Sequence, residues 1–133
     1  MKTLLLTQSS PFEATTGANQ RTKFLYESLC ALGRVDVAII VFDNEPDRVS
    51  ENINGHVYYI NLPTGGLVNR PNIPIRSRTY TKRLAHFVDL KSYEIVVSRY
   101  VRFATKFHLS KSSRVIIDYD DAYYTIPWKS IGT

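Results

Sequence analysis

A chain of 133 residues has room for one domain with an ordinary core, and 44% apolar with 22% charged residues excludes a disordered or fibrous protein. Seventeen Lys and Arg against twelve Asp and Glu leave a formal charge of +5, a bias toward phosphates, acidic lipid surfaces or nucleic acid that does not choose among them. The single cysteine, Cys30, excludes an internal disulfide and reads as a small residue at a helix margin.

The chain opens on an apolar run, Thr3-Leu4-Leu5-Leu6-Thr7, which reads as a strand. Gln8 cuts that run too short for a signal peptide, and no stretch is long enough to cross a bilayer. The expected location is therefore cytoplasmic, with peripheral contact at the inner face of a membrane as an open option. Ser9, Ser10, Pro11, Thr15, Thr16, Gly17 and Asn19 crowd the following loop. From Arg21 the period becomes helical, with Phe24, Leu25, Ser28, Leu29 and Leu32 on one side and Gly33 as the stop. Val35 to Phe42 reads as a second strand buried on both faces, broken only by Asp36.

Pro46 can open a short helix over Asp47 to Asn52, and Asn54-Gly55 marks a turn into a third strand, His56 to Leu62. Pro71 and Pro74 predict a long loop over Leu67 to Ile75. A second helix from Arg76 stacks Tyr80, Leu84, Phe87 and Val88 on one face, with Arg78, Lys82, His86 and Asp89 opposite. Glu94 to Ser98 is a fourth strand, Tyr100 to Leu109 a further helix, and Val115 to Ile117 a fifth strand. This order predicts an α/β fold: one domain over residues 1–133, a Rossmann-like three-layer sandwich around a mainly parallel sheet of five strands or more. No closing helix is legible after the fifth strand, from Thr125 to Thr133, so the expectation is a fragment or a chain whose remainder lies elsewhere.

Motif tests narrow the chemistry. Thr16-Gly17-Ala18-Asn19-Gln20-Arg21 is neither GxGxxG nor a P-loop, so Gly17 is either a backbone position with positive φ or a point of ligand approach. Asp118, Asp120 and Asp121 fall at a strand's carboxyl end, where a divalent-metal site, a general base or sugar-hydroxyl acceptor, and a turn cap compete. Arg99, followed by Tyr100, either contacts an anion or pairs with one of these aspartates. His56, His86 and His108 stand away from strand carboxyl ends, and no nucleophile triad is legible. Arg70, Arg76, Arg78, Lys82 and Arg83 form a basic interval with no acid between Glu51 and Asp89, either a solvated helix face or a contact for an anionic membrane or phosphorylated substrate. Nucleic acid is the least favoured partner. Tyr119, Tyr123 and Tyr124 line a polar cleft or pack the sheet edge.

Thr3 to Thr7 with Pro11, Gly17, Arg21 and Leu25, then Leu29 to Val35, resembles the amino-terminal domain of GT-B glycosyltransferases of the family 4 (group 1) type. Tyr93 to Arg99 is similar to that family's strand before the central cleft, and Val115 to Asp121 to its D-x-D-D strand end. The resemblance implies the acceptor-side half of a two-domain enzyme that moves a sugar, with retention, from a nucleotide-sugar to a glycan or lipid-linked acceptor. It implies no metal or other cofactor and no nucleic-acid partner. Gly17, Ala18, Asn19 and Arg21 would face the donor diphosphate, and Arg99, Tyr100, Asp118, Asp120 and Asp121 would line the acceptor cleft. Arg99-Tyr100 stands where many relatives carry a histidine. Since most of the donor site belongs to a second domain, this chain alone is expected to be inactive. The alternative is a non-catalytic Rossmann-like binding or interaction module, at an anionic membrane surface through the basic interval.

Overall fold

The computed structural model describes residues 1–13, 15–41, 45–62, 77–99, 109 and 114–118. Its elements in chain order are β1 (Lys2–Thr7), α1 (Gly17–Cys30), β2 (Arg34–Val41), β3 (Arg48–Asn52), β4 (Gly55–Asn61), α2 (Ser77–Phe87), β5 (Ile95–Ser98) and β6 (Val115–Ile117). The strands form one six-stranded sheet in the order β3-β4-β2-β1-β5-β6. Every neighbouring pair is parallel except the β3–β4 hairpin at one edge. The molecule is thus an α/β protein with a mostly parallel sheet, compatible with a Rossmann-like arrangement. Counting the parallel strands alone, the spatial order is third, second, first, fourth, fifth.

Alternation along each strand divides the core in two. Leu5, Val35, Val37, Ile39, Val57 and Val97 face α1 and pack with its Tyr26, Leu25 and Leu29. Leu4, Leu6, Ala38, Ile40, Ile60 and Val96 face the other way and pack with Leu84 and Val88 at the end of α2, Tyr93 and Leu109. Leu4, Leu5 and Leu6 are wholly buried because β1 is central and covered on both faces. The second helix packs as its periodicity predicts, with Tyr80 and Phe87 against the same cluster.

Three expectations are corrected. Residues 47–52 are not a helix: Arg48 to Asn52 pairs antiparallel with β4, because Asn52 closes a tight hairpin by accepting the amides of Asn54 (2.9 Å) and Gly55 (3.1 Å). The first helix starts at Gly17 rather than Arg21, since Thr16 caps it by accepting the Asn19 amide at 3.1 Å. Its inward face is also different. Asn19, Thr22 and Tyr26 are buried, whereas Phe24 and Leu32 are 74% and 62% exposed and Ser28 faces solvent. Polar partners reach Asn19 and Thr22 from the loop and from β5, so hydrogen bonding fills the face that an apolar count assigns elsewhere. Cys30 ends the helix half-buried, and burial pushes its thiol up from the ordinary range.

Two glycines are required by the backbone. Gly33 (φ +152°) returns the chain beside Met1, where Arg34 donates to the Met1 carbonyl at 2.9 Å and a Cβ would overlap that carbonyl. Gly55 (φ +155°) lies against the Val35 carbonyl and the Asp36 carboxylate. The predicted loop over 67–75 lies outside the described residues, as does the predicted helix over 100–109 apart from Leu109, which is buried.

Candidate functional site

In an open parallel sheet, ligands sit where neighbouring crossovers leave in opposite directions, beyond the carboxyl ends of the strands. Here that point lies between β1 and β5, since β2 and β4 continue to one side of β1 and β5 and β6 to the other. The β1–α1 loop and the ends of β5 and β6 converge there.

Thr7, the last residue of β1, turns the chain by accepting the Ser9 amide (3.1 Å) and donating to the Ser9 carbonyl (2.8 Å). Ser9 Oγ then meets Thr22 Oγ1 at 2.6 Å. The Thr22 hydroxyl donates to the Ala18 carbonyl at 2.8 Å, so it accepts from Ser9 and from Arg99 Nε at 3.0 Å. Asn19 is committed to the loop: its side-chain Nδ2 donates to the Ser10 carbonyl (3.0 Å), and its Oδ1 accepts from Thr16 (2.7 Å) and Thr15 (3.3 Å). It holds the loop in shape rather than reaching toward a ligand.

Gly17 opens α1 without a positive φ, and a Cβ there would meet nothing within 4 Å. The positive-φ explanation of this glycine is therefore set aside, and the fold itself does not require it. Ala18 is half-buried beside it. Helix-start amides such as theirs precede the intrahelical ladder.

Arg99 follows β5, and the parity that turns Val97 toward α1 turns Arg99 the same way. Its amide extends the ladder to the Leu6 carbonyl (2.9 Å), and its side chain is wholly buried. A buried guanidinium needs a counter-charge. Asp118, one residue past β6 and in register with Arg99, supplies it through an ion pair to NH1. The Asp118 amide donates to the Ser98 carbonyl at 2.8 Å, which fixes this register. The same carboxylate takes Arg21 NH2 at 3.1 Å and Nε at 3.4 Å, from the first turns of the largely exposed α1 side chain row. Arg21, Thr22, Arg99 and Asp118 therefore form one network joining α1, β5 and β6.

Of the proposed site residues, Gly17, Ala18, Asn19, Arg21, Arg99 and Asp118 meet at this edge; Tyr100, Asp120 and Asp121 lie outside the described residues. Of the two readings of Arg99, the pairing with an aspartate is what the geometry contains, but in the interior rather than on the surface. Thr22, Thr7 and Ser9 escape the sequence reading; the available signal was a threonine three residues after Asn19 on the inward side of the helix. Within the basic interval, Arg78 and Lys82 are exposed on α2. Arg83 is engaged with Asp47 and with the Asn61 carbonyl (3.0 and 3.2 Å). Arg70 and Arg76 lie outside the described residues. No group of three or more His, Cys, Asp or Glu suited to a metal occurs among the described residues. A cavity of about 370 Å³, lined by Met1, Tyr93, Glu94, Ile95 and Arg114 among others, opens at the amino edge of the sheet, away from this network.

Fold and network together define an α/β domain with a polar, charged wall at its switch point. No protein-family model matches the chain, and neither a curated protein nor a solved structure matches it. Among the described residues, no helix is long and apolar enough to cross a membrane.

Proposed function

We propose that this chain is the acceptor-side domain of a retaining GT-B-type glycosyltransferase. Its carboxyl edge would form one wall of a cleft in which a sugar passes from a nucleotide-sugar to a glycan or lipid-linked acceptor. One observation carries the reading: the loop into α1 and the ends of β5 and β6 converge at the switch point of a parallel sheet, with Gly17 left uncrowded there. A diphosphate can approach a glycine-started helix closely, and first-turn amides together with the helix dipole stabilise charge developing on a leaving diphosphate. Arg99 and Asp118 brace the wall, and Arg21 is the exposed cation beside it. The reaction needs no metal in this scheme, and most donor contacts come from a second domain.

The test is a titration of the isolated chain with a nucleoside diphosphate and with nucleotide-sugars, followed by amide NMR. The expected result is weak binding, with a Kd on the order of 1 mM, and shifts concentrated on Gly17 to Arg21. Gly17→Ala should leave stability within about 1 kcal/mol of the parent, since its Cβ enters open space, while those shifts disappear. Binding several orders of magnitude tighter contradicts a donor held mainly elsewhere, and unmoved amides over 17–21 contradict the role of the loop.

A further inference from the structure

We propose that the outer face of α2 is a docking strip for an anionic phospholipid surface. Arg78, Lys82 and His86 are exposed and recur every fourth residue, which aligns them along one side of the helix at about 6 Å per step. Arg78 and Lys82 enter no ion pair among the described residues. The helix contains no acid, and the sequence has none between Glu51 and Asp89. Arg83, its other cation, is drawn aside by Asp47 and the Asn61 carbonyl, so the strip is distinct from the residues that anchor the helix to the sheet.

The composition of the strip selects the partner. Leu84 is buried, and Tyr80 and Phe87 pack toward the core, so no large apolar side chain is left on the outer face for insertion into acyl chains. The one ring on that face among the described residues, the His86 imidazole, packs edge-on against Phe87, so the strip lacks the open row of aromatic rings that usually holds single-stranded nucleic acid. Two cations, Arg78 and Lys82, aligned on a rigid helix suit a plane of phosphates, where adsorption is electrostatic and sensitive to salt.

The experiment is co-sedimentation of the full chain with vesicles of phosphatidylcholine alone or with about one third phosphatidylglycerol. Binding is expected only to the anionic vesicles at low ionic strength, and should vanish at about 1 M salt, where the Debye length is ~3 Å. The double variant Arg78→Gln/Lys82→Gln should lower the partition coefficient roughly 25-fold, about five-fold per cation. A control with the same net charge, Lys23→Gln/Lys91→Gln, should lose far less, and thermal melting of both variants should match the parent because all four residues are exposed. Equal loss in the control, or no binding to anionic vesicles at low salt, overturns the proposal. So does tighter binding to a single-stranded oligonucleotide that is lost on the same two substitutions.

Discussion

Asp36, inside β2, and Asp118, one residue past β6, are both carboxylates set against the sheet, and their neighbours give them different tasks. Asp36 is buried at the amino edge, where it accepts from the Tyr93 hydroxyl (2.7 Å) and the His56 amide (2.8 Å) beside the Arg34 guanidinium (3.4 Å). Burial alone would raise its pKa, but these donors and the charges of Arg34 and Lys2 outweigh it and hold the carboxyl below its ordinary range. Burial and the adjacent carboxylate push the Tyr93 hydroxyl well up, so it remains a donor. Because the folded-state pKa of Asp36 lies below the unfolded one of about 3.9, its stabilisation is complete above that value and is lost as pH falls through the folded pKa. Asp36→Asn should therefore cost about 1.5–3 kcal/mol near neutral pH, and the cost should shrink in acid; melting temperature followed from pH 7 downward, roughly to pH 2, checks both. Asp118, by contrast, neutralises Arg99 from within the candidate site. In the sequence each is a single letter. Asp36 interrupts an apolar run without naming Tyr93, which lies far along the chain, and Asp118 gains its partner only when β5 and β6 come into register.

At the scale of elements, local pattern was sufficient wherever apolar packing decides. The strands around Leu4, Val37, Ile60 and Val96 and the face of α2 around Leu84 were legible because both faces or one stripe are filled by hydrocarbon. Two elements were not legible in that way. The strand β3 is exposed throughout its length, so it leaves no apolar alternation to read, and its pairing is set by the Asn52 turn and by Gly55. In α1 the polar Asn19 and Thr22 point inward while Phe24 points out, since the loop and Arg99 supply the hydrogen bonds that burial demands. Gly55→Ala tests the hairpin: a Cβ at φ +155° would strike the Val35 carbonyl, so denaturant unfolding should show a loss of at least about 2 kcal/mol. The network at the strand ends followed the same division. That Arg99 and Asp118 fall at strand ends was legible, but the Thr22 hydroxyl that joins Arg99 to α1 was not.

For the whole molecule, the strand order was only partly contained in the sequence. The βα succession implies parallel crossovers, yet it does not say that β1 becomes the central strand with β2 on one flank and β5 on the other. That placement rests on pairing Leu5 with Val37 and also with Val97, the second of which is separated from it by most of the described chain. Residues 1–62 contain β1, α1, β2 and the β3–β4 hairpin, a set that can pair among itself before β5 exists. A truncation ending at Leu62 should accordingly acquire strand and helix signals by circular dichroism while sedimenting as aggregates, and the full chain should sediment as a discrete species.

The central position of β1 also has a consequence during synthesis. The first strand to leave the ribosome waits longest for its second neighbour, because its partner Ile95 to Ser98 follows about 90 residues later, several seconds at ordinary elongation rates. Throughout that interval the backbone of Leu4 to Leu6 offers an open, apolar pairing edge. The nascent chain is then a natural client for whatever shields such edges, and slowing translation between β4 and β5 should lower the soluble yield without altering the finished protein.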